Sequence, residues 1–456
     1  MTHHTKYDVL IIGGGQAGIP LAHGLAKQGK RVALAESKHL GGSCVNFGCT
    51  PTKAAIASAK VAHLARRGTD YGLRIPAVEV YFPKVLERAR SIAKESRDGL
   101  DKSFEESDNP KLLRGEARIE EKNGEGFQVT VGEHSVQTRE LVVNTGTCTN
   151  VPRVEGLAEI EYLDSENWLD RPELPARLAI LGGGYIALEM AQFYRRMGSE
   201  VTVIERSGQI LSHEDEDVAR SIQELVEREG VRFHLNSEVK SVRKDGGQLV
   251  LDRDGGQMRV SNLFVATGRK PNTGDLGLEK IGVKLSKEGT LEADRRLATN
   301  VEGVWAAGDV RGGPMFTHTS WDDYRILMSQ MTGDGSRTTD RIVPYAVFTD
   351  PELGRVGMTE KEARKTGRDL KISRFDMKKN GKAREIGAPD GFIKLIADAR
   401  EGKLLGAAVL ADQGGELVHI YVDLMNANAP YSVIRDAVHI HPTLAEAIQS
   451  AASALE

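Results

Sequence analysis

A repeat constrains this chain more than any other feature. "YDVLII" is a short apolar run of the kind that forms a buried strand, and "GGGQAG" follows it with Gly13, Gly15 and Gly18 in G-x-G-x-x-G spacing. "IPLAHGLAKQG" then has helical apolar spacing with Gly29 as its stop, and "RVALAE" is a second strand ending in Glu36. The same order returns as "RLAIL", "GGGYIA", "LEMAQFYRRMG" and "EVTVIE", with Gly182, Gly184 and Ala187 at the glycine positions and Glu205 at the strand end. Gly13 to Gly182 and Glu36 to Glu205 are both shifts of 169 residues, so a whole structural unit repeats.

Strand, glycine turn, helix, second strand and acid are the full context of a dinucleotide-binding unit. The first glycine permits the tight turn. The second lets a pyrophosphate approach the backbone, where the helix N-terminus stabilises its charge, and the acid accepts from the adenosine ribose. An α/β chain with two Rossmann-like dinucleotide-binding domains is therefore expected, holding two dinucleotides. Ala187 in place of the third glycine predicts a slightly wider helix–strand contact. "LVVNTGT" (141–147) and "NLFVATGRKPN" (262–272) echo each other as apolar strands ending in Thr-Gly, each read as the last strand of its unit. Turn signals predict a hairpin before the second and a similar meander over 114–138. "VEGVWAAGDV" reads as a strand ending in a turn at Gly308-Asp309.

The thiols are concentrated. Of three cysteines, Cys44 and Cys49 both lie in "GGSCVNFGCTPTK". A structural zinc needs about four ligands, and no histidine cluster joins the pair, so no metal site is expected. Cys148, at a strand end, reads as a small buried hydrophobe. On a regular helix, positions i and i+5 are roughly 8–9 Å apart between Cα atoms, whereas a disulfide needs less than about 7 Å. Gly48 and Pro51 supply the deviation that would let the bridge close. After Pro51, "TKAAIASAKVAHLARR" predicts a helix, and a thiol just before its N-terminus would have its thiolate favoured. A close pair in a reducing compartment reads as a redox-active dithiol.

Composition narrows the setting. At 456 residues the chain suits roughly two to four domains. Lysine plus arginine total 61 against 65 acids, a balance that offers no field for nucleic acid and no polybasic membrane patch. No stretch approaches about 18 continuous apolar residues, so no membrane span is expected. "MTHHTKYDVLII" lacks the pattern of a secretory leader, and three cysteines make no secreted disulfide framework, so a cytoplasmic protein is expected.

Together these stretches resemble the flavoprotein disulfide reductases, the group of lipoamide dehydrogenase, glutathione reductase and mercuric reductase, nearly end to end. "GGSCVNFGCTPTK" resembles their redox-active stretch, "GVWAAGD" their second flavin fingerprint, "VPYAVFTDPELGRVGMTE" (343–360) the start of their dimerisation domain, and "HIHPTLAE" (439–446) their C-terminal active-site motif. The resemblance implies an FAD-binding domain over 1–150 and 271–340, an NAD(P)-binding domain over 151–270, and a C-terminal α+β dimerisation domain over 341–456. It implies FAD held by Gly13, Gly15, Gly18, Glu36, Lys53, Thr145, Gly146 and Asp309. The nicotinamide nucleotide would be held by Gly182, Gly184, Glu189, Glu205 and Gly268. Cys44 would be the interchange thiol and Cys49 the thiol against the flavin. Lys53 would pair with Glu189 at the nicotinamide site, His441 would be the acid/base, and Glu446 would orient it. His439 and His419 read as packing or surface residues. The pair would act in a homodimer.

Glu205 favours NADH over NADPH, because a carboxylate accepts from a 2′-hydroxyl and repels a 2′-phosphate, although Arg206 is adjacent. The expected reaction passes electrons from NADH through flavin and the Cys44–Cys49 bridge to a small or carrier-bound disulfide, as in dihydrolipoamide dehydrogenase. The alternative is a mercuric-reductase-like metal-ion or quinone reductase, which "GGPMFTHTSWDDYRIL" (312–327) favours. Against it, the ending "SAASALE" carries no cysteine pair and no Cys-x-x-Cys domain precedes the first strand. Thr50, where an apolar residue is common, makes the thiol surroundings more polar.

Overall fold

The computed structural model describes residues 5–455; the first four residues of the leader reading lie outside them. Both repeated units form. Strand Thr5–Ile12, helix Gly18–Lys27 and strand Val32–Glu36 make the first, and Arg177–Leu181, Tyr185–Met197 and Glu200–Ile204 the second, with each strand pair parallel. Val9, Leu10 and Ile11 are wholly buried. That explains why the run is continuously apolar: a parallel strand covered on both faces has no solvent side to alternate with. The two first glycines have nearly the same left-handed backbone, with φ 109° at Gly13 and 105° at Gly182. A Cβ at either would sit 2.3 or 2.4 Å from the carbonyl oxygen of Asn144 or Ala266, so neither turn admits another residue. At Gly18 a Cβ would meet the Gly13 carbonyl at 2.2 Å. Ala187 carries that methyl, fully buried, at the equivalent position of the second turn.

The first sheet runs in the order 111–114, 32–36, 5–12, 134–143, 126–131 and 117–123, the last three strands being the expected meander. Val304–Ala306, from beyond the second unit, also pairs parallel with His134–Val143, so this sheet is discontinuous in sequence. The second sheet runs 232–234, 200–204, 177–181, 262–265 and 163–164, and the predicted hairpin forms within a separate three-stranded sheet over 239–260. A five-stranded antiparallel sheet, in the order 345–347, 352–357, 404–411, 392–398 and 370–376, completes the α/β chain. Helices His419–Asn426 and Glu446–Ser453 share its core. Ala54, Ala55, Ala59 and Ala62 of helix Cys49–Arg66 pack in one core with Leu188 and Ala191 of the second unit and Val347, Leu353 and Phe392 of the third sheet. The helix that begins at Cys49 is thus wedged between the second unit and the five-stranded antiparallel sheet.

Two expectations need correction. The thiol-bearing helix starts at Cys49 itself, not after Pro51. Proline lacks only an N–H that the first helical turn leaves unused, so it sits inside that turn without interrupting it. Cys148 is half-buried rather than buried. It lies on a two-stranded ribbon of Thr147–Thr149 with Arg269–Pro271, and a ribbon of that size has no layer to cover it.

Candidate active site

The thiol segment is docked on the first dinucleotide turn. Gly41 N–H donates to the Gly14 carbonyl at 2.8 Å, and Gln16 Nε2 donates to the Gly41 carbonyl at 3.1 Å. A Cβ at Gly42 would lie 3.1 Å from Gly15 Cα, which is why glycines precede Cys44. Cys44 rides on a short helix, Gly42–Asn46; the chain breaks at Phe47 and Gly48, and the long helix begins with Cys49. The indole of buried Trp168 donates to the Phe47 carbonyl at 3.1 Å and holds the break. Because of that break, two thiols five positions apart come within hydrogen-bonding reach.

Their electrostatics separate them. The hydrogen bond from Cys44, then the Lys53 ammonium and the Thr317 hydroxyl (Oγ1 3.2 Å from Cys49 Sγ), lower the Cys49 thiol to about 6 against the opposing effect of burial. The same bond, with burial, pushes Cys44 up, so Cys44 keeps its proton while Cys49 carries charge. Since the folded value lies below that of a free thiol, the Cys49 thiolate should be present above about pH 6 and lost below it. A titration of thiolate absorbance in the reduced protein tests this; a midpoint near the ordinary value of about 8.5 contradicts it.

Lys53, one turn beyond Cys49, meets Glu189 of the second unit's helix, Nζ to Oε2 at 2.7 Å. Glu189 is only 3% exposed. Its other oxygen accepts from the Phe348 N–H at 3.1 Å, and Lys53 Nζ lies 4.5 Å from the centre of the Phe348 ring. The strand-end acids behave identically in the two units. Glu36 accepts from the N–H groups of Gly14 (2.8 Å) and Lys38 (2.7 Å), and Glu205 from those of Gly183 (2.6 Å) and Ser207 (2.7 Å). An ionised carboxylate has about four acceptor sites, so each retains capacity for ribose hydroxyls.

Asp309 follows Gly308, whose φ is 71°. Burial pushes its carboxyl up, offset in part by Arg269, and it accepts only two long bonds, from Thr147 (3.4 Å) and Ser320 (3.3 Å). A buried acid with so much unused acceptor capacity, beside a side-chain-free turn at Gly13–Gly15, fits the polyol chain and pyrophosphate of a flavin dinucleotide. Asp323, fully buried, fixes the turn by accepting from Gly308 N–H (2.8 Å), Arg311 (2.9 Å) and Arg341 (2.6 Å). Thr145 donates to the Asn272 carbonyl at 2.6 Å, and Gly146 and Gly268 both take positive φ where the two Thr-Gly strand ends turn.

His441 and Glu446 meet as a pair, Nδ1 to Oε1 at 2.9 Å, with the other Glu446 oxygen accepting from Thr443 N–H at 2.9 Å. The Thr443 N–H and then the imidazole hold the Glu446 carboxyl below its usual range. His441 is 77% exposed, and the groups facing the thiols are Thr317, Lys53 and Glu189, not His441. His439 is half-buried and His419 exposed, as expected. Sequence reasoning missed Thr317, Asp323, Arg269 and Phe348. All four lie within stretches that the sequence singles out, Arg269 in 262–272, Thr317 and Asp323 in 312–327 and Phe348 in 343–360, but nothing in those stretches marks the individual residues. Among the described residues no group of three or more His, Cys, Asp or Glu side chains is placed to hold a metal, and no helix is long and apolar enough to cross a membrane.

Residues 7–323 match the family described as pyridine nucleotide-disulphide oxidoreductase, and 343–452 match its dimerisation domain. The chain is 34% identical to the probable pyridine nucleotide-disulfide oxidoreductase RclA of Escherichia coli, over 97% of this chain and 98% of that one. It is 32% identical to a dihydrolipoyl dehydrogenase of Cupriavidus necator, over 99% and 98%. The solved Cu(II) complex of the HOCl-induced flavoprotein disulfide reductase RclA from E. coli superposes with a TM-score of 0.90 at 34% identity, covering 98% of this chain and 99% of that one. Matches of this extent, across the dinucleotide repeat and the C-terminal sheet alike, show that the chain belongs to the pyridine nucleotide-disulfide oxidoreductases, flavoprotein enzymes of the EC 1.8.1 type.

Proposed function

We propose that the protein is an FAD-containing, NADH-dependent disulfide/dithiol oxidoreductase, a homodimer with the domain division read from its sequence, whose substrate is a small or carrier-bound disulfide such as a lipoyl group. The observation that carries this reading is the asymmetric thiol pair, protonated at Cys44 and ionised at Cys49, beside the Lys53–Glu189 ion pair. FAD, which Gly13, Gly15, Gly18, Glu36 and Asp309 would hold, would supply the transfer of two electrons from the nicotinamide to the Cys44–Cys49 bridge. Cleavage of that bridge, with uptake of one proton, leaves Cys49 as thiolate and Cys44 as thiol. His441 of the partner subunit removes the Cys44 proton, and Cys44 attacks one sulfur of the substrate disulfide. The imidazolium returns that proton to the departing substrate thiolate. Cys49 then displaces the second substrate sulfur, which takes its proton from solvent, and the bridge re-forms. Glu446 fixes the histidine tautomer and supports the imidazolium. The same steps run in reverse.

A second reading keeps the fold and changes the acceptor: the thiol pair reduces a metal ion or a quinone. The Cu(II) complex recorded for the E. coli relative favours it. A side-by-side steady-state assay of lipoamide, glutathione disulfide, a quinone, Hg²⁺ and Cu²⁺ with NADH separates the two. Turnover of a disulfide supports the first reading, and turnover of metal or quinone alone replaces it.

For the nicotinamide, kcat/KM with NADH is expected to exceed that with NADPH. Glu205→Ala should narrow the gap about 5- to 150-fold, the range for losing a half-buried, hydrogen-bonded carboxylate worth roughly 1–3 kcal/mol. A wild-type preference for NADPH would transfer the leading role to Arg206.

A further inference from the structure

Next to the Lys53–Glu189 pair lies a buried cluster that the proposed chemistry does not use. Tyr345 and Arg355 stand directly opposite each other on the antiparallel strands Tyr345–Val347 and Glu352–Gly357, so their side chains share one face. Glu214, from the loop after the second unit's acid-bearing strand, reaches onto that face. Its Oε1 accepts the Tyr345 phenol, and its Oε2 lies 3.3 Å from Arg355 Nε. The Glu214 and Arg355 side chains are each 2% exposed, yet Glu214 Oε2 and Arg355 Nε and Nη2 have no hydrogen-bond partner. A buried ion pair satisfied this poorly adds little or nothing to stability. Docking of the loop is already secured by its neighbour: Asp215 accepts from Glu360 N–H (2.8 Å) and Lys361 N–H (3.1 Å) and meets the Lys394 ammonium at 3.3 Å. Holding the layers together therefore does not account for the Glu214 pair.

Its placement says what. Tyr345 opens a three-residue edge strand, too short to hold its own register. The phenol is fixed by Glu214, and the ring stacks on Phe316, centroids 5.5 Å apart and planes within 10°. The strand then delivers the Phe348 N–H to Glu189, the partner of Lys53. In the other direction, Gln209 donates to the Glu214 carbonyl (3.0 Å) and Glu214 N–H to that of Leu211 (2.7 Å). Leu211 in turn bonds the Gly183 carbonyl (2.9 Å), beside the amide that Glu205 caps. One buried cluster thus joins the residues assigned to the ribose end of the nicotinamide nucleotide to those assigned to its reactive end.

We propose that Tyr345, Glu214 and Arg355 are positioning residues that hold the ribose-side and nicotinamide-side groups in register for dinucleotide binding and hydride delivery. This rests on the reading of Glu205 and Lys53–Glu189 as the two ends of that site. In the FAD-loaded dimer, Tyr345→Phe should raise the NAD⁺ dissociation constant and the KM for NADH about 3- to 10-fold, the worth of one net hydrogen bond. It should also slow single-turnover flavin reduction by NADH and speed amide exchange at Phe348. Reoxidation of dithionite-reduced enzyme by whichever acceptor turns over should be unchanged. Should Tyr345→Phe fail to fold, Glu214→Gln, which keeps an oxygen for the phenol, should shift the same quantities in the same direction. Glu189→Gln is the reference and should slow flavin reduction more. If Glu189→Gln slows that step while the cluster variant binds NAD⁺ and is reduced like wild type, the positioning proposal is overturned and the site reading stands. If neither variant changes it, the assignment of the nicotinamide side falls and the proposal with it.

Discussion

Replacing Cys49 with serine is expected to abolish the long-wavelength thiolate-to-flavin absorbance of the two-electron-reduced enzyme, while Cys44→Ser should leave that absorbance permanently in the oxidised one. The asymmetry follows from the charge distribution of the pair. Cys49 is the thiol lowered to about 6, by the Cys44 hydrogen bond first and then by Lys53 and Thr317. In Cys44→Ser the hydroxyl still donates to Cys49, and Lys53 and Thr317 remain, so the thiolate persists with no partner left to oxidise it. In Cys49→Ser the charged position is gone, and the remaining thiol is the one that burial pushes up. Either change should reduce disulfide turnover by on the order of 10⁴ or more, as removal of other reacting nucleophiles does. Absorbance spectra of the two purified variants, before and after titration with dithionite, decide the matter. Exchanged spectra would mean that Cys44 is the thiol against the flavin.

What could be read from the sequence and what could not divide along a physical line. The repeated dinucleotide unit was legible because its glycines are forced by backbone: at Gly13 and Gly182 a Cβ would strike a carbonyl oxygen of a neighbouring strand, so the spacing itself carries the geometry. The hairpin and meander were legible from turn residues between alternating ones. Local energetics misplaced the helix start, since Pro51 reads as a boundary in a string of letters but is harmless within a first turn. Cys148 was misjudged because a thiol's burial depends on whether a further layer covers its strand, which composition does not reveal. The groups around the thiols and the Gly308–Asp309 turn were invisible for a related reason. Thr317 meets Cys49 across 268 residues, and Phe348 meets Glu189 across 159. Both lie in stretches that the sequence singles out, 312–327 and 343–360, but nothing there marks these two residues, because a hydroxyl or a backbone N–H has no sequence signature until the fold delivers it. The asymmetric pair itself is of this kind: two letters fix where the thiols are, but only their surroundings fix which one is charged.

His441→Ala should cost about 10²–10⁴ in dithiol turnover, the usual worth of a positioned acid/base, while flavin reduction by NADH survives. The reason lies in the proton of Cys44. The hydrogen bond to Cys49 and burial keep that thiol protonated, so an interchange thiol of this kind needs a base before it can attack. The His441 ring is set for the task by Glu446 at 2.9 Å, which leaves the other ring nitrogen free to exchange a proton. Yet His441 is 77% exposed, and the groups facing the thiols of its own chain are Thr317, Lys53 and Glu189. On the proposed reading the base therefore comes from a second copy. Mixing Cys44→Ser chains with His441→Ala chains tests this directly, because each hybrid dimer would combine the intact thiols of one chain with the intact histidine of the other at one of its two sites. With random reassortment about a quarter of all sites should become active, recovering turnover that neither parent shows. If His441 acted on its own chain, every hybrid site would lack either the thiol or the base, and the mixture would stay at the parental residual rate. A metal ion brings no thiol proton to move, so turnover of Hg²⁺ or Cu²⁺ that ignores His441→Ala would mark the acceptor as a metal even if the dimer exchanges as described.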